Sequence, residues 1–255
     1  MKRRQLMGYA GAGLATAFLT TLGSEFKAQA QSSGLSVQWL GHTCFLLTGS
    51  GVKILVNPFR PIGCTAGYRP PKVAADLVMI SSQLLDEGAV DGLPGKPKLI
   101  YEPGVYEFQG IKFQGIAVDH DRKAGKQFGI NTAWSWKQGG INILHLGGAA
   151  APISVEQKIL MGRPDVAFIP VGGSAKAYNA QEAKQAVEIL NPKLIIPTHY
   201  RTQAADASKC DISPVDDFLN LMQGVTVRRG TSDSISISSG NIPENSVIQT
   251  LSYKF

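Results

Sequence analysis

The sequence predicts an α/β fold, and three observations carry that prediction. Short apolar runs end abruptly in polar residues or glycine: "ILVN" at Asn57, "VMISS" at Ser81-Ser82, "IAVDHD" at His120-Asp121, "ILHLGG" at His145, "FIPVGG" at Gly172-Gly173 and "IIPTH" at His199. Helix signals enter only in the second half of the chain and alternate there with such runs. Three of the four histidines stand at or near these run ends, where α/β proteins build their sites.

In chain order, "LSVQWLGHTCFLLTGSGVKILVNPF" reads as strands, with Leu35, Val37 and Trp39 alternating and Gly49-Ser50-Gly51 as a turn. "RPIGCTAGYRPP" is a Pro/Gly loop, and "ADLVMIS" a short buried strand. "KLIYEPGVYEFQGIKFQGIAV" gives more strands, with a turn at Pro103-Gly104. "NTAWSWKQGGINILHLGG" is a hairpin through Gly139-Gly140, and "ISVEQKILMGRP" a helix ending at Gly162. After the strand "DVAFIPVGG" comes the clearest helix, "NAQEAKQAVEILNP". Asn179 caps it, Glu182 completes a capping box and Pro192 stops it. "KLIIPTHY" is a strand, "SPVDDFLNLM" a helix, and the tail from Ser232 is strand-like or loose.

At 255 residues the chain suffices for one large domain. Its net charge of +6 is half supplied by Lys2, Arg3 and Arg4, and no long basic run follows, so nucleic acid is a poor partner. Residues 1–30 read as a twin-arginine signal peptide: Arg3-Arg4, a weakly apolar Gly/Ala-rich run, then the small-residue site "AQA" at Ala28 to Ala30. An uncleaved anchor is the alternative. Residues 31–255 then form a single domain outside the cytoplasm, in a periplasm or a thylakoid-like lumen. No later run of ~18 apolar residues provides a membrane span. Of three cysteines, Cys44 in "CFLL" reads as a buried small hydrophobe, while Cys64 and Cys210 in polar loops are the better disulfide pair.

The motifs "GHTCFLL", "ILVNPF", "HDRKAGKQFGINTAW", "ILHLGG", "RPDVAFIPVGG" and "EAKQAVEILNPKLIIPTHY" resemble, in order, the metallo-β-lactamase superfamily, in its branch of hydrolases similar to ascorbate-6-phosphate lactonase. The resemblance implies a four-layer αββα sandwich with the site along one edge, and a two-ion centre whose bridging hydroxide attacks a carbonyl or phosphoryl carbon or phosphorus. It also implies that Cys64 and Cys210 meet at the cleft rim. The family's H-x-H-x-D-H motif falls on Ser82 to Glu87 within "DLVMISSQLLDEG", and keeps only Asp86. His120 and His199 keep the later histidines. The bridging aspartate falls on Gly148, and the aspartate of "ILxDPF" on Asn57. The first ion's set becomes Ser82, Leu84, His120 and Gly148, and should not bind. The second becomes Asp86, Glu87, Gly148 and His199, so one zinc, manganese or iron ion on Asp86, Glu87 and His199 is the surviving option.

Each of these residues also has a plainer reading. Asp86-Glu87 suit the first turn of a helix beginning "DEGAVDGL". His199 and His145 read equally as structural histidines, His120-Asp121 as loop-shaping residues, and His42 as a hydrogen-bonding residue near the pocket floor. Ser81-Ser82 lack a nucleophile elbow. The candidate cleft is thus Asn57, Ser82, Asp86, Glu87, His120, Asp121, His145 and His199. The missing ligands favour a non-catalytic descendant that binds a small molecule or a protein, without cofactor. A metal-dependent hydrolase with a rebuilt one-ion site and an extracytoplasmic assembly factor are the alternatives.

Overall fold

A computed structural model describes residues 34–206 and 208–255. The signal assigned to residues 1–30 lies outside them. The strands are β1 (Leu35–Gly41), β2 (Cys44–Gly49), β3 (Val52–Val56), β4 (Leu77–Met79), β5 (Lys98–Ile100), β6 (Gly104–Phe108), β7 (Ile111–Asp119), β8 (Ile130–Gln138), β9 (Ile141–His145), β10 (Val166–Pro170), β11 (Leu194–Thr198), β12 (Thr226–Arg229), β13 (Ser234–Ile237) and β14 (Val247–Thr250). They form a six-stranded sheet, β13-β1-β2-β3-β4-β5, and an eight-stranded sheet, β12-β14-β11-β10-β9-β8-β7-β6.

Burial separates the two sheets. β1 alternates, with Leu35, Val37 and Trp39 buried and Ser36 exposed, as expected of a sheet with one face on the core. β10 and β11 are buried at every position and pair in parallel from Val166–Leu194 to Pro170–Thr198, because helices cover their second face. Those helices are α1 (Val155–Met161), α2 (Ala180–Leu190) and α3 (Val215–Leu221). They pack α1 on α2 and α2 on α3, and α1 also lies against β7. Among the described residues the chain before β6 carries loops and a single 3-10 turn, Gly63–Thr65, and no α-helix.

The helix signals hold in detail. Asn179 accepts from the Glu182 N–H while the Glu182 carboxylate accepts from the Asn179 N–H. Ser154 and Gln157 form the same box on α1. The turn at Pro103-Gly104 is where the chain leaves the first sheet after β5 and enters the second at β6. The tail likewise divides. β13 pairs with β1, and β14 pairs in parallel with β11. No helix among the described residues is long and apolar enough to cross a membrane.

Candidate metal centre

The strand ends and turns deliver the sequence-predicted residues to one edge, where they separate into two groups. Pairing of Phe45 with Val56 sets the β1–β2 turn beside the end of β3, so His42 and Asn57 arrive there together. β10 and β11 end side by side, and Gly172 donates its N–H to the His199 carbonyl at 2.9 Å. A Cβ on Gly172 would stand 2.2 Å from that oxygen, so glycine is what lets the two strand ends close and fixes His199.

The first group opens on a cleft of about 410 Å³, within the range of small-molecule sites. His42, Asp86 and His199 each bring a ligand atom within 4.8 Å of the others. The two imidazole rings lie 4.4 Å apart, centre to centre, and His42 Nε2 is 3.8 Å from Asp86 Oδ2. Lys176 donates to the same carboxylate oxygen. Leu84, Phe128 and Cys64 line the walls.

Electrostatics keep both imidazoles neutral. Burial lowers the His42 pKa to about 4, with the Asp86 charge opposing and the Lys176 charge assisting. Burial and the neighbouring His42 push His199 well below its ordinary value. For Asp86, burial acts upward, but the Lys176 ammonium together with His42 and His199 outweighs it and lowers the carboxyl to about 2. Neutral imidazole and ionised carboxylate are the states that coordinate metals.

A metal ion fits these residues. Both ring nitrogens of His42 and Nδ1 of His199 are buried without a hydrogen-bond partner, a costly state unless something binds them. His42 and His199 also sit at φ of 53° and 50°, a left-handed conformation that costs a non-glycine residue about 1–3 kcal/mol and concentrates at functional sites.

The second group is a buried polar cluster around Glu87, in which both ring nitrogens of His120 and Oε1 of Glu87 also lack a hydrogen-bond partner. Glu87, fully buried, accepts from Ser81 Oγ at 3.0 Å and Ser82 Oγ at 3.2 Å, and lies 3.6 Å from His120 Nε2. Asn57 clamps Ser81 by two hydrogen bonds of 2.8 Å. Glu87 is therefore not beside Asp86 and His199, which corrects its assignment as their co-ligand. Residues 82–88 turn instead of forming a helix, with the Glu87 and Gly88 N–H groups both donating to the Leu84 carbonyl. Asp86 and Glu87 consequently face opposite ways. Ser82 points to Glu87 and not into the cleft, whereas Leu84 does line it. Gly148 explains how a carboxylate fits: a Cβ there would meet His120 Nε2 at 2.4 Å and Glu87 Oε1 at 2.5 Å. Glu87 has taken the space that a side chain at Gly148 would use. Gly148→Ala should thus destabilise the fold by about 1–3 kcal/mol. An unchanged urea midpoint would place Glu87 elsewhere.

The remaining candidates are structural. Asp121 accepts four backbone N–H groups, from Lys123, Gly125, Gln127 and Phe128, and so shapes the loop that brings Phe128 to the cleft. His145 has both ring nitrogens engaged, Nε2 with the Thr43 carbonyl and Nδ1 with the Gly147 N–H, each at 3.1 Å. Burial lowers its pKa to about 4, and it is no ligand. Cys64 and Cys210 form the expected disulfide at the rim, with Cα atoms 4.7 Å apart, and Cys44 is a buried free thiol. Sequence reasoning missed His42 as a ligand candidate and Lys176 altogether. The tight "GHTC" turn beside the strand end "ILVN" could have revealed the first.

Residues 36–199 match the family model of the beta-lactamase superfamily domain. A UPF0173 metal-dependent hydrolase of Thermococcus onnurineus is 28% identical over 194 residues, 66% of this chain and 85% of the relative. Another so named, from Pyrococcus furiosus, is 30% identical over 195 residues, again 66% and 85%. The crystal structure of a putative zinc-dependent hydrolase of the metallo-β-lactamase superfamily from Thermotoga maritima superposes with a TM-score of 0.67 at 30% identity, covering 85% of this chain and 98% of that one. These relatives, named metal-dependent hydrolases, overturn the expectation of a non-catalytic descendant. The chain belongs to the metallo-β-lactamase superfamily.

Proposed function

We propose that this protein is a metal-dependent hydrolase working with a single ion held by His42, Asp86 and His199. The observation that carries the reading is the convergence of two neutral imidazoles, with unsatisfied nitrogens, and one ionised carboxylate at the end of a cleft. Two imidazoles and a carboxylate form a donor set of catalytic zinc sites, and zinc is the ion named for the Thermotoga maritima structure. When bound, such an ion activates water and polarises a carbonyl or phosphoryl oxygen.

The chain's own residues supply the rest. His42 and His199 offer lone pairs and Asp86 a charge. Leu84 and Phe128 give the cleft apolar walls, which exclude water and strengthen the electrostatics around the reacting group. The cleft volume suits a small molecule and not a protein segment. The disulfide supports a working place outside the cytoplasm, in keeping with the twin-arginine pattern of residues 1–30.

Metal analysis tests this directly. Protein purified from its native host should carry about one equivalent of metal per chain, and chelation should remove hydrolysis of a panel of lactones, thioesters and phosphodiesters. Ser82→Ala should leave the stoichiometry unchanged, because Ser82 serves Glu87. Two tightly held equivalents, or none with activity intact after chelation, would sink the reading.

A further inference from the structure

We infer that Lys176 is the resident cation of this centre: its ammonium holds Asp86 when no ion is bound and competes with the ion for that carboxylate. The inference rests on the one-ion reading above and concerns how that site is loaded.

One oxygen of Asp86 faces both Lys176 and His42. Lys176 Nζ donates to Asp86 Oδ2, and the same oxygen is the carboxylate atom 3.8 Å from His42 Nε2. Among the described residues, Lys176 and His42 are the only basic side chains in ion-pair range of Asp86. A divalent ion sits about 2 Å from a carboxylate oxygen, so an ion that takes Oδ2, the oxygen facing His42, competes with the ammonium bonded there.

Charge points the same way. With both histidines neutral, Asp86 and Lys176 cancel. A divalent ion added beside a retained ammonium leaves the pocket at a net +2, with the Asp86 charge already counted. Repulsion between like charges is strong where water is scarce, and the Asp86 and Lys176 side chains are only 20% and 19% exposed.

The lysine has somewhere to go. It lines the cleft and projects from the loop between β10 and α2, on a flexible four-carbon stem. Loading is then an exchange: the ion takes Asp86, and the ammonium swings into the cleft. A purely structural ion pair closing the cleft would predict no such competition.

The test titrates the chelator-stripped full chain with zinc by calorimetry, comparing wild type, Lys176→Met, Lys176→Gln and Lys176→Arg. Both neutral variants should bind one zinc with a dissociation constant at least tenfold lower than wild type, while Lys176→Arg stays close to wild type. Without metal the neutral variants should melt lower than wild type, and zinc should raise their melting temperature by more. Zinc dissociation constants within twofold of wild type for both neutral variants would overturn the role of Lys176 and leave the hydrolase reading standing. Zinc bound by none of the four proteins would overturn both. Zinc bound by the neutral variants but not by wild type would uphold Lys176 as the competing cation and remove the metal from the wild-type function.

Discussion

If His42, Asp86 and His199 hold one ion as proposed, replacing His42 should abolish metal binding and hydrolysis together. His42 is one of three side chains whose ligand atoms lie within 4.8 Å of one another, and both its ring nitrogens are buried and unpartnered. Removing an outer partner of a ligand typically weakens metal binding 10–100-fold, so loss of a direct ligand should exceed roughly 100-fold. Alanine at φ 53° adds backbone strain. His42→Asn is therefore the cleaner variant, because asparagine tolerates the left-handed region. Both variants, and His199→Asn, should fall below detectable metal occupancy and lose turnover. Glu87→Gln should retain one equivalent, since Glu87 lies with His120. Metal retained by His42→Asn, with loss in Glu87→Gln, would transfer the centre to the buried cluster of Glu87 and His120.

That contrast marks where the sequence was readable and where it was not. Strand ends were readable because the change from apolar to polar residues is local: Asp86 and His199 emerge at the same edge as expected, and α2 follows its capping box and stop residue to within a residue. The direction of adjacent side chains in a turn is not local. Asp86 and Glu87 are neighbours in sequence, yet the turn over 82–88 sends one to the cleft and the other into the interior. The glycine at 148 reads in sequence as a lost ligand. In space it is an opening, filled by Glu87, and only tertiary structure joins the two changes. Lys176 carries no motif at all. Its place at Asp86 comes from a long side chain reaching between loops 90 residues apart, which neither periodicity nor spacing encodes. Residue-by-residue comparison with the family motif counted these as separate losses. The fold gathers Asp86 and His199 with His42 at the cleft and seats Glu87 against Gly148.

Breaking the Cys64–Cys210 disulfide should lower stability by about 2–5 kcal/mol, or the melting temperature by roughly 5–15 °C for a domain of this size. The bond spans 146 residues of sequence, so on the chain-entropy model its removal frees a large loop in the unfolded state. In the folded state it joins the 3-10 turn Gly63–Thr65 to the segment after β11, and residues of both line the cleft. Two further contacts tie these loops, the Gly67 N–H to the Ala204 carbonyl and the Tyr68 and Thr202 hydroxyls, each at 2.7 Å. The loops should therefore stay apposed while the rim loosens. His42 and Asp86 do not stand on them, and His199, directly after β11, is held by the Gly172 N–H on its carbonyl, so the double variant Cys64→Ser/Cys210→Ser should keep one equivalent of metal and show its functional loss in KM, with kcat nearly unchanged. Thiol titration in denaturant should count one free cysteine in the oxidised chain, Cys44, and three after reduction. Equal melting temperatures before and after verified reduction would mean that the loop's entropy is already restricted without the bond, and that the rim is held by the hydrogen bonds alone.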